Sequence, residues 1–222
     1  MNVLIVLAHP EPHSFSGAMA ETAATGLTAL GHQVVVSDLY RQGFDPVSDR
    51  RNFTGARDAA YYKQQVEEAF ATGSRGFVPD LEREIARLEA CELMIWQFPL
   101  WWFGLPAVLK GWVDRVFAFQ RIYGGGRIYD NGLFRGRRAL LSFTTGGPPE
   151  AYRADGRNGD IEAILRPIQR GMLQFVGFDV LRPQIVWQAA RLSAADRATA
   201  LADWRGRLPR LFEEAPIDVG RY

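Results

Sequence analysis

Cysteine is all but missing from this sequence: Cys91 is the one thiol in 222 residues. That excludes an internal disulfide and every zinc or iron–sulfur site built on several cysteines. Its place in LEACELMIW, at a helix-to-strand junction, reads as a buried and unreactive thiol. An excess of either charge is missing too, since 26 Lys and Arg face 25 Asp and Glu for a net +1. This balance argues against a nucleic-acid footprint or an anionic-membrane binder. No apolar run approaches the roughly 18 residues needed to span a bilayer. The opening MNVLIVLAHPEPHS has no basic segment before its short apolar run, so it reads as a strand rather than a signal peptide. A cytoplasmic protein is expected. GxGxxG and GxxxxGK[ST] are both missing from the loop after this strand, which weighs against a Rossmann dinucleotide site and an NTPase P-loop.

What is present is an ordinary globular composition, 47% hydrophobic and 23% charged, with core enough for one domain over residues 1–222. NVLIVL is a continuous apolar run of the kind found in strands covered on both faces. A helix follows, with Ser14 and Ser16 as candidate N-caps and Gly31 as its stop, and then the strand QVVVSDLY. Further along, AAYYKQQVEEAFATG and LEREIARLEA read as helices, the second with Leu81, Ile85 and Leu88 on one face. CELMIWQFP, RRALLSFTT and FDVLRPQIVW read as strands, the last placed near an edge by Pro183. LPAVLKGWVDRVFAF is a helix between them, with Pro106 in its first turn. GDIEAILRPIQRGMLQFVG is a helix made irregular by Pro167, and a last helix opens with a capping box at Ser193 and Asp196. Strand and helix thus alternate five times, which predicts an α/β fold: a doubly wound, five-stranded parallel sheet with helices on both faces.

Ligands of such sheets bind beyond the carboxyl ends of the strands, so AHPEPHSFS, FPLWWFG and TTGGPPEAY carry the functional expectation. Ser14 and Ser16 at a helix N-terminus can hold a phosphate, with His9 adding a hydrogen bond; a capped helix beside a surface histidine is the plain alternative. Trp101, Trp102 and Phe103 cannot all face one core, so some line a pocket for a planar ligand or a partner surface; simple packing competes with this. Gly146 and Gly147 after Thr144 and Thr145 permit close backbone approach and can offset negative charge, though glycine pairs also mark simple turns. Together the loops describe a planar, phosphate-bearing, electron-accepting cofactor, for which a flavin is the match.

FPLWWFGLPAVLKGWVDRVF followed by LLSFTTGG resembles the NAD(P)H:quinone oxidoreductases of the flavodoxin-like fold, the DT-diaphorase family. LIVLAHPEPHSF, VVVSDLY, NGDIEAILRPIQ and VGFDVLRPQ resemble it as well, over about Val3 to Phe212. The resemblance implies strand order 2-1-3-4-5. It also implies a homodimer holding FAD, ahead of FMN, at interface active sites, with NAD(P)H as reductant and a quinone as acceptor in ping-pong order. By motif, His9, Ser14, Phe15 and Ser16 resemble the contacts around the FAD pyrophosphate. Pro99, Leu100, Trp101, Trp102 and Phe103 resemble the isoalloxazine platform, and Thr144, Thr145, Gly146 and Gly147 the loop at its pyrimidine edge. Gln65 and Arg197 resemble outer FAD contacts, with Gln64 competing for the first place. Trp102, Phe103, Tyr123, Tyr152 and Phe175 resemble the substrate walls, Tyr123 and Phe175 coming from the partner subunit.

Tyr152, Asn158 and Gly146 are expected to stabilise charge on the reduced flavin. Mammalian members of the family have a His where this chain has Asn158, and Asn cannot become cationic. A second pocket Tyr of those members falls at Gly125. An FMN-dependent nitro- or azoreductase, a flavin-binding regulatory subunit of a potassium-efflux system, and a flavin-free interaction module are the competing readings.

Overall fold

A computed structural model describes residues 1–220. The NVLIVL run forms β1 (Asn2–Leu7), and its side chains alternate between the two faces of the sheet. Val3, Ile5 and Leu7 join one apolar cluster, while Leu4, Val6 and Ala8 join the other. Both faces are therefore buried, which is why the run has no polar position after Asn2. α1 (Phe15–Ala29) buries Met19, Ala20, Ala23 and Leu27, and stops before Gly31, whose φ of 85° suits a residue without Cβ. β2 (Gln33–Asp38) pairs in parallel with β1 and forms one edge of the sheet.

α2 (Gln64–Ser74) and α3 (Pro79–Ala90) follow, with Leu81, Ile85 and Leu88 of α3 all in the core. β3 (Leu93–Pro99), buried throughout, pairs with β1 on one side and with β4 (Arg138–Thr144) on the other. Between them lies α4 (Ala107–Val116), for which Pro106 is the N-cap. α5 (Ile161–Ile168) contains Pro167 and passes into a π-helical turn over Gln169–Gln174. The ring removes one hydrogen bond and crowds the preceding turn, so the predicted irregularity takes this form. α6 (Ala194–Arg207) is capped by Ser193, whose Oγ accepts the Asp196 N–H at 3.1 Å.

The strand order β2-β1-β3-β4-β5 is the expected one. One element differs. The predicted fifth strand is two short ones, β5 (Asp179–Val180) and β6 (Gln184–Val186), both paired with β4. Pro183 has no N–H for the ladder, and the chain leaves the sheet at Leu181–Pro183 before rejoining it. The predicted α2 also starts five residues late. Asp58 instead caps a turn through the N–H groups of Ala60 and Tyr61, at 2.9 and 3.1 Å.

α1 and α6 cover one face of the sheet; Trp204 of α6 donates its Nε1–H to Met19 O at 3.1 Å. α3, α4 and α5 cover the other, around Trp96, Trp112 and Phe98. The parallel register sets Leu7, Pro99, Thr144 and Val186 at one end of the sheet. Four loops therefore open at the same place. No helix among the described residues is long and apolar enough to cross a membrane.

Candidate active site

The loop after β1 turns into α1 at Ser14, whose extended backbone (φ −66°, ψ 159°) and Oγ, accepting the Gly17 N–H at 3.0 Å, make it the N-cap. Ser16 lies inside the helix and is not the cap. The first-turn N–H groups of Phe15 and Ser16 have no helical acceptor and sit at the positive end of the helix dipole. Gly17 is needed here, because a Cβ would stand 2.7 Å from Pro12 O. His9 Nδ1 lies 3.0 Å from the Glu11 N–H and 3.2 Å from Glu11 O, accepting from the first in one tautomer and donating to the second in the other.

The loop after β3 makes a four-residue turn. Trp101 N–H donates to Gly104 O at 3.2 Å, and Gly104 N–H donates to Trp101 O at 2.9 Å. The two central residues, Trp102 and Phe103, have φ of 50° and 59°. Mirror-image turns of this kind favour Asn-Gly, and left-handed backbone costs other residues about 1–2 kcal/mol each. The strain has a visible result: the Trp102 ring is 97% exposed, with Phe103 and Trp101 half-exposed beside it. A strained turn that presents aromatic rings to solvent is the signature of a surface made for something else to cover.

After β4, Thr145 N–H donates to Val186 O at 3.0 Å and Thr145 Oγ1 donates to Gly147 O at 2.8 Å. The N–H groups of Gly146 and Gly147 make no hydrogen bond within the described residues. Tyr152 and Asn158 converge on Gly147: a Cβ built there would lie 3.1 Å from the Tyr152 ring and 3.3 Å from Asn158 Nδ2. Asn158 is held by its N–H to Ala151 O at 2.8 Å. The Tyr152 ring is buried between Phe103 and Trp187, with centroids 6.5 and 5.4 Å away.

A crevice of about 580 Å³ runs through these loops. Most expected residues border it: His9, Ser14, Phe15 and Ser16 from the first loop, Pro99, Leu100, Trp101 and Trp102 from the second, Thr144, Thr145 and Gly146 from the third, and Arg197 from α6. Phe103, Gly147, Tyr152 and Asn158 flank the same end of the sheet without lining the crevice itself. Gln65, Tyr123 and Phe175 form a separate group. Gln65 Nε2 donates to Tyr123 OH at 3.2 Å, and the Tyr123 and Phe175 rings meet edge-to-face at 5.6 Å. Gln64 turns instead to Glu68 and Asp114, so Gln65 is the one that reaches Tyr123. A larger groove of about 1020 Å³ flanks α1 on the β2 side; it shares His9 but none of the aromatic turn.

Sequence reasoning passed over His13, Ala189 and Ala190, which border the crevice, and Trp187, which backs Tyr152. The alanines carry no chemical signal and are brought in by the β6 register, while Trp187 directly follows a strand and was legible as another loop aromatic.

A parallel sheet in this order, with a crevice across its carboxyl end, defines a flavodoxin-like protein. The family described as flavodoxin-like fold matches residues 1–208. Within that class the chain belongs to the NAD(P)H:quinone oxidoreductase family. It is 43% identical to rat NAD(P)H dehydrogenase [quinone] 1 over 96% of this chain and 78% of the relative. It is 40% identical to human ribosyldihydronicotinamide dehydrogenase [quinone] over 97% and 94%. A solved Klebsiella pneumoniae chain assigned as a quinone reductase superposes with a TM-score of 0.93 at 36% identity, covering 98% of this chain and 87% of that one.

Proposed function

We propose that this chain is an FAD-dependent NAD(P)H:quinone oxidoreductase working by ping-pong two-electron transfer, with donor and acceptor taking turns in one pocket. The observation that carries the reading is the strained Trp101–Gly104 turn, which presents uncovered aromatic rings beside a crevice flanked by unbonded N–H groups. The donor set suits a flavin. Free N–H groups at Phe15 and Ser16 fit a pyrophosphate, flat rings at Trp101–Phe103 fit a planar heterocycle, and N–H groups at Gly146 and Gly147 fit its electron-poor edge. When bound, a flavin supplies the capacity to take up and give back a hydride.

The chain's own residues do the rest. Ser14 keeps the first turn of α1 open to an anion by capping Gly17 rather than the residues before it. Trp101, Trp102 and Phe103 would hold a planar ring and shield it from water. Gly146 and Gly147 N–H, Tyr152 OH and Asn158 Nδ2 would supply the donors for negative charge at a bound flavin's pyrimidine edge. Asn158 gives a hydrogen bond but no proton near neutral pH, so a histidine-type relay is missing from this position. Arg197 and Ala190 also border the crevice, and contacts beyond a single phosphate site would suit an adenylate, which supports FAD over FMN.

Gln65, Tyr123 and Phe175 do not border the crevice of their own chain. A second copy bringing them to it makes a homodimer with shared sites, and that arrangement also covers Trp102. The test is a spectrum of the purified protein. Flavin absorbance near 450 nm should bleach with NADH and return with menadione, and heat-released cofactor should be FAD. A colourless protein that stays empty when mixed with FAD overturns the reading. Released FMN would instead favour a nitro- or azoreductase.

A further inference from the structure

α2 carries a polar row of which only Gln65 enters the proposed site. Gln64, Gln65 and Glu68 lie within little more than one turn, and all three reach the end of α4 or the loop beyond it. Gln64 Nε2 donates to Asp114 O at 3.2 Å and to Glu68 Oε1 at 2.8 Å. Glu68 Oε2 accepts the Phe119 N–H at 2.7 Å. Gln65 Nε2 donates to Tyr123 OH. Glu68 is 2% exposed and pairs with no Lys or Arg among the described residues. Burial pushes its carboxyl up, and the Phe119 and Gln64 donors oppose that. A carboxylate taken out of water for two hydrogen bonds is costly, and a purely apolar contact would serve packing better.

The Phe119 N–H begins a tight loop. Gln120 has φ 65°, its N–H donates to Tyr123 O at 2.6 Å, and Gly124, Gly125 and Gly126 all have positive φ. The Phe119 ring meets Tyr123 edge-on at 5.5 Å, and Tyr123 in turn meets Phe175. The carboxylate therefore pins the start of a loop whose other end presents the Tyr123 ring. The three glycines that follow give little stiffness of their own, so the ring is fixed by the pin at Phe119 and the Gln65 bond together with the buried Ile122, the Arg121 pairs with Glu82 and Glu89, and the Arg127 bond to Gln120 O.

We propose that Glu68 is a positioning residue for the electron acceptor: by holding the Phe119 N–H it sets where the Tyr123 ring stands, and so how tightly a quinone is held, without touching the reacting atoms. The inference rests on the reading that Tyr123 lines the acceptor pocket.

The experiment uses the flavin-loaded protein with menadione as acceptor and amide hydrogen exchange as a readout independent of turnover. Glu68→Ala should raise the menadione KM roughly tenfold, the scale of one lost charge-assisted hydrogen bond, with kcat changed less than twofold. Glu68→Gln, which keeps an acceptor oxygen, should restore KM to within twofold. Exchange of the 117–124 amides should speed about tenfold in Glu68→Ala and stay near wild type in Glu68→Gln. Tyr123→Ala should raise KM by itself, and Glu68→Ala should then add less than twofold, because both act through one ring. If Glu68→Ala folds poorly, Glu68→Asp, which keeps the charge but shortens the reach, should give the same KM increase.

An unchanged KM in Glu68→Ala beside a raised KM in Tyr123→Ala overturns this inference and leaves the pocket reading standing. Unchanged exchange, or effects that multiply in the double variant, also overturn it. An unchanged KM in Tyr123→Ala removes the pocket reading and, with it, the role assigned to Glu68.

Discussion

Trp102 and Phe103 hold backbone angles that cost stability, and the aromatic rings they present are the return. Phe103→Gly should therefore stabilise the flavin-stripped protein by about 1 kcal/mol in urea titration, while the flavin becomes easier to wash out on dialysis. Tyr152 faces the opposite balance: it is buried and well packed, and its proposed role rests on its hydroxyl. Tyr152→Phe should leave urea stability nearly unchanged and slow flavin reduction by NADH in stopped-flow by roughly a hundredfold, the scale of one lost donor to developing charge. Asn158 makes a further difference at this scale. The wild-type reductive rate should show no titration near pH 6–7 from this position, whereas Asn158→His should introduce one. A flat profile in that variant would remove the residue from the charge-offsetting set.

At the scale of elements, two helices open on serine caps and only one cap borders the crevice. Ser14→Ala and Ser193→Ala should each lower stability by about 1 kcal/mol in urea titration. Ser14→Ala alone should also weaken flavin retention, since it disturbs the N–H groups at the α1 terminus. α2 shows why element boundaries were harder to read than element types. AAYYKQQVEEAFATG has helical composition, yet Asp58 captures the N–H groups of Ala60 and Tyr61, and the buried Glu67 accepts those of Arg57 and Asp58 at 2.6 and 3.0 Å. The helix starts only at Gln64 because these side-chain bonds satisfy the preceding backbone in another shape. Pro167, by contrast, announced its irregularity openly, because a missing N–H is a local fact.

Over the whole molecule, Cys91 is a probe of integrity. Its thiol donates to Leu88 O at 3.2 Å, and burial pushes it up to about 12, so almost no thiolate forms at neutral pH. Reaction with an aromatic disulfide reagent should proceed only as fast as the protein unfolds, and rapid labelling of the folded state would contradict this packing. The arrangement of aromatics bears on assembly at the same scale. Sedimentation of the flavin-loaded protein should give twice the chain mass, and Trp102→Ala should shift it toward the monomer.

Read by itself, the sequence left the α1 cap between Ser14 and Ser16 and took its strand order from a family resemblance, but it determined the strand–helix alternation, the cap at Ser193 and the three loops that carry the crevice. These follow from periodicities of two and 3.6 residues and from the chemistry of short neighbourhoods, which need no distant partner. Tertiary structure alone decided the split of the last strand around Pro183, the late start of α2, the entry of Ala189 and Ala190 into the crevice, and the separation of Gln65, Tyr123 and Phe175 from it. It also revealed the bond from Glu68 to Phe119, which spans 51 positions. Contacts of that kind depend on where the folded sheet places its neighbours, and no local pattern in the chain encodes that distance.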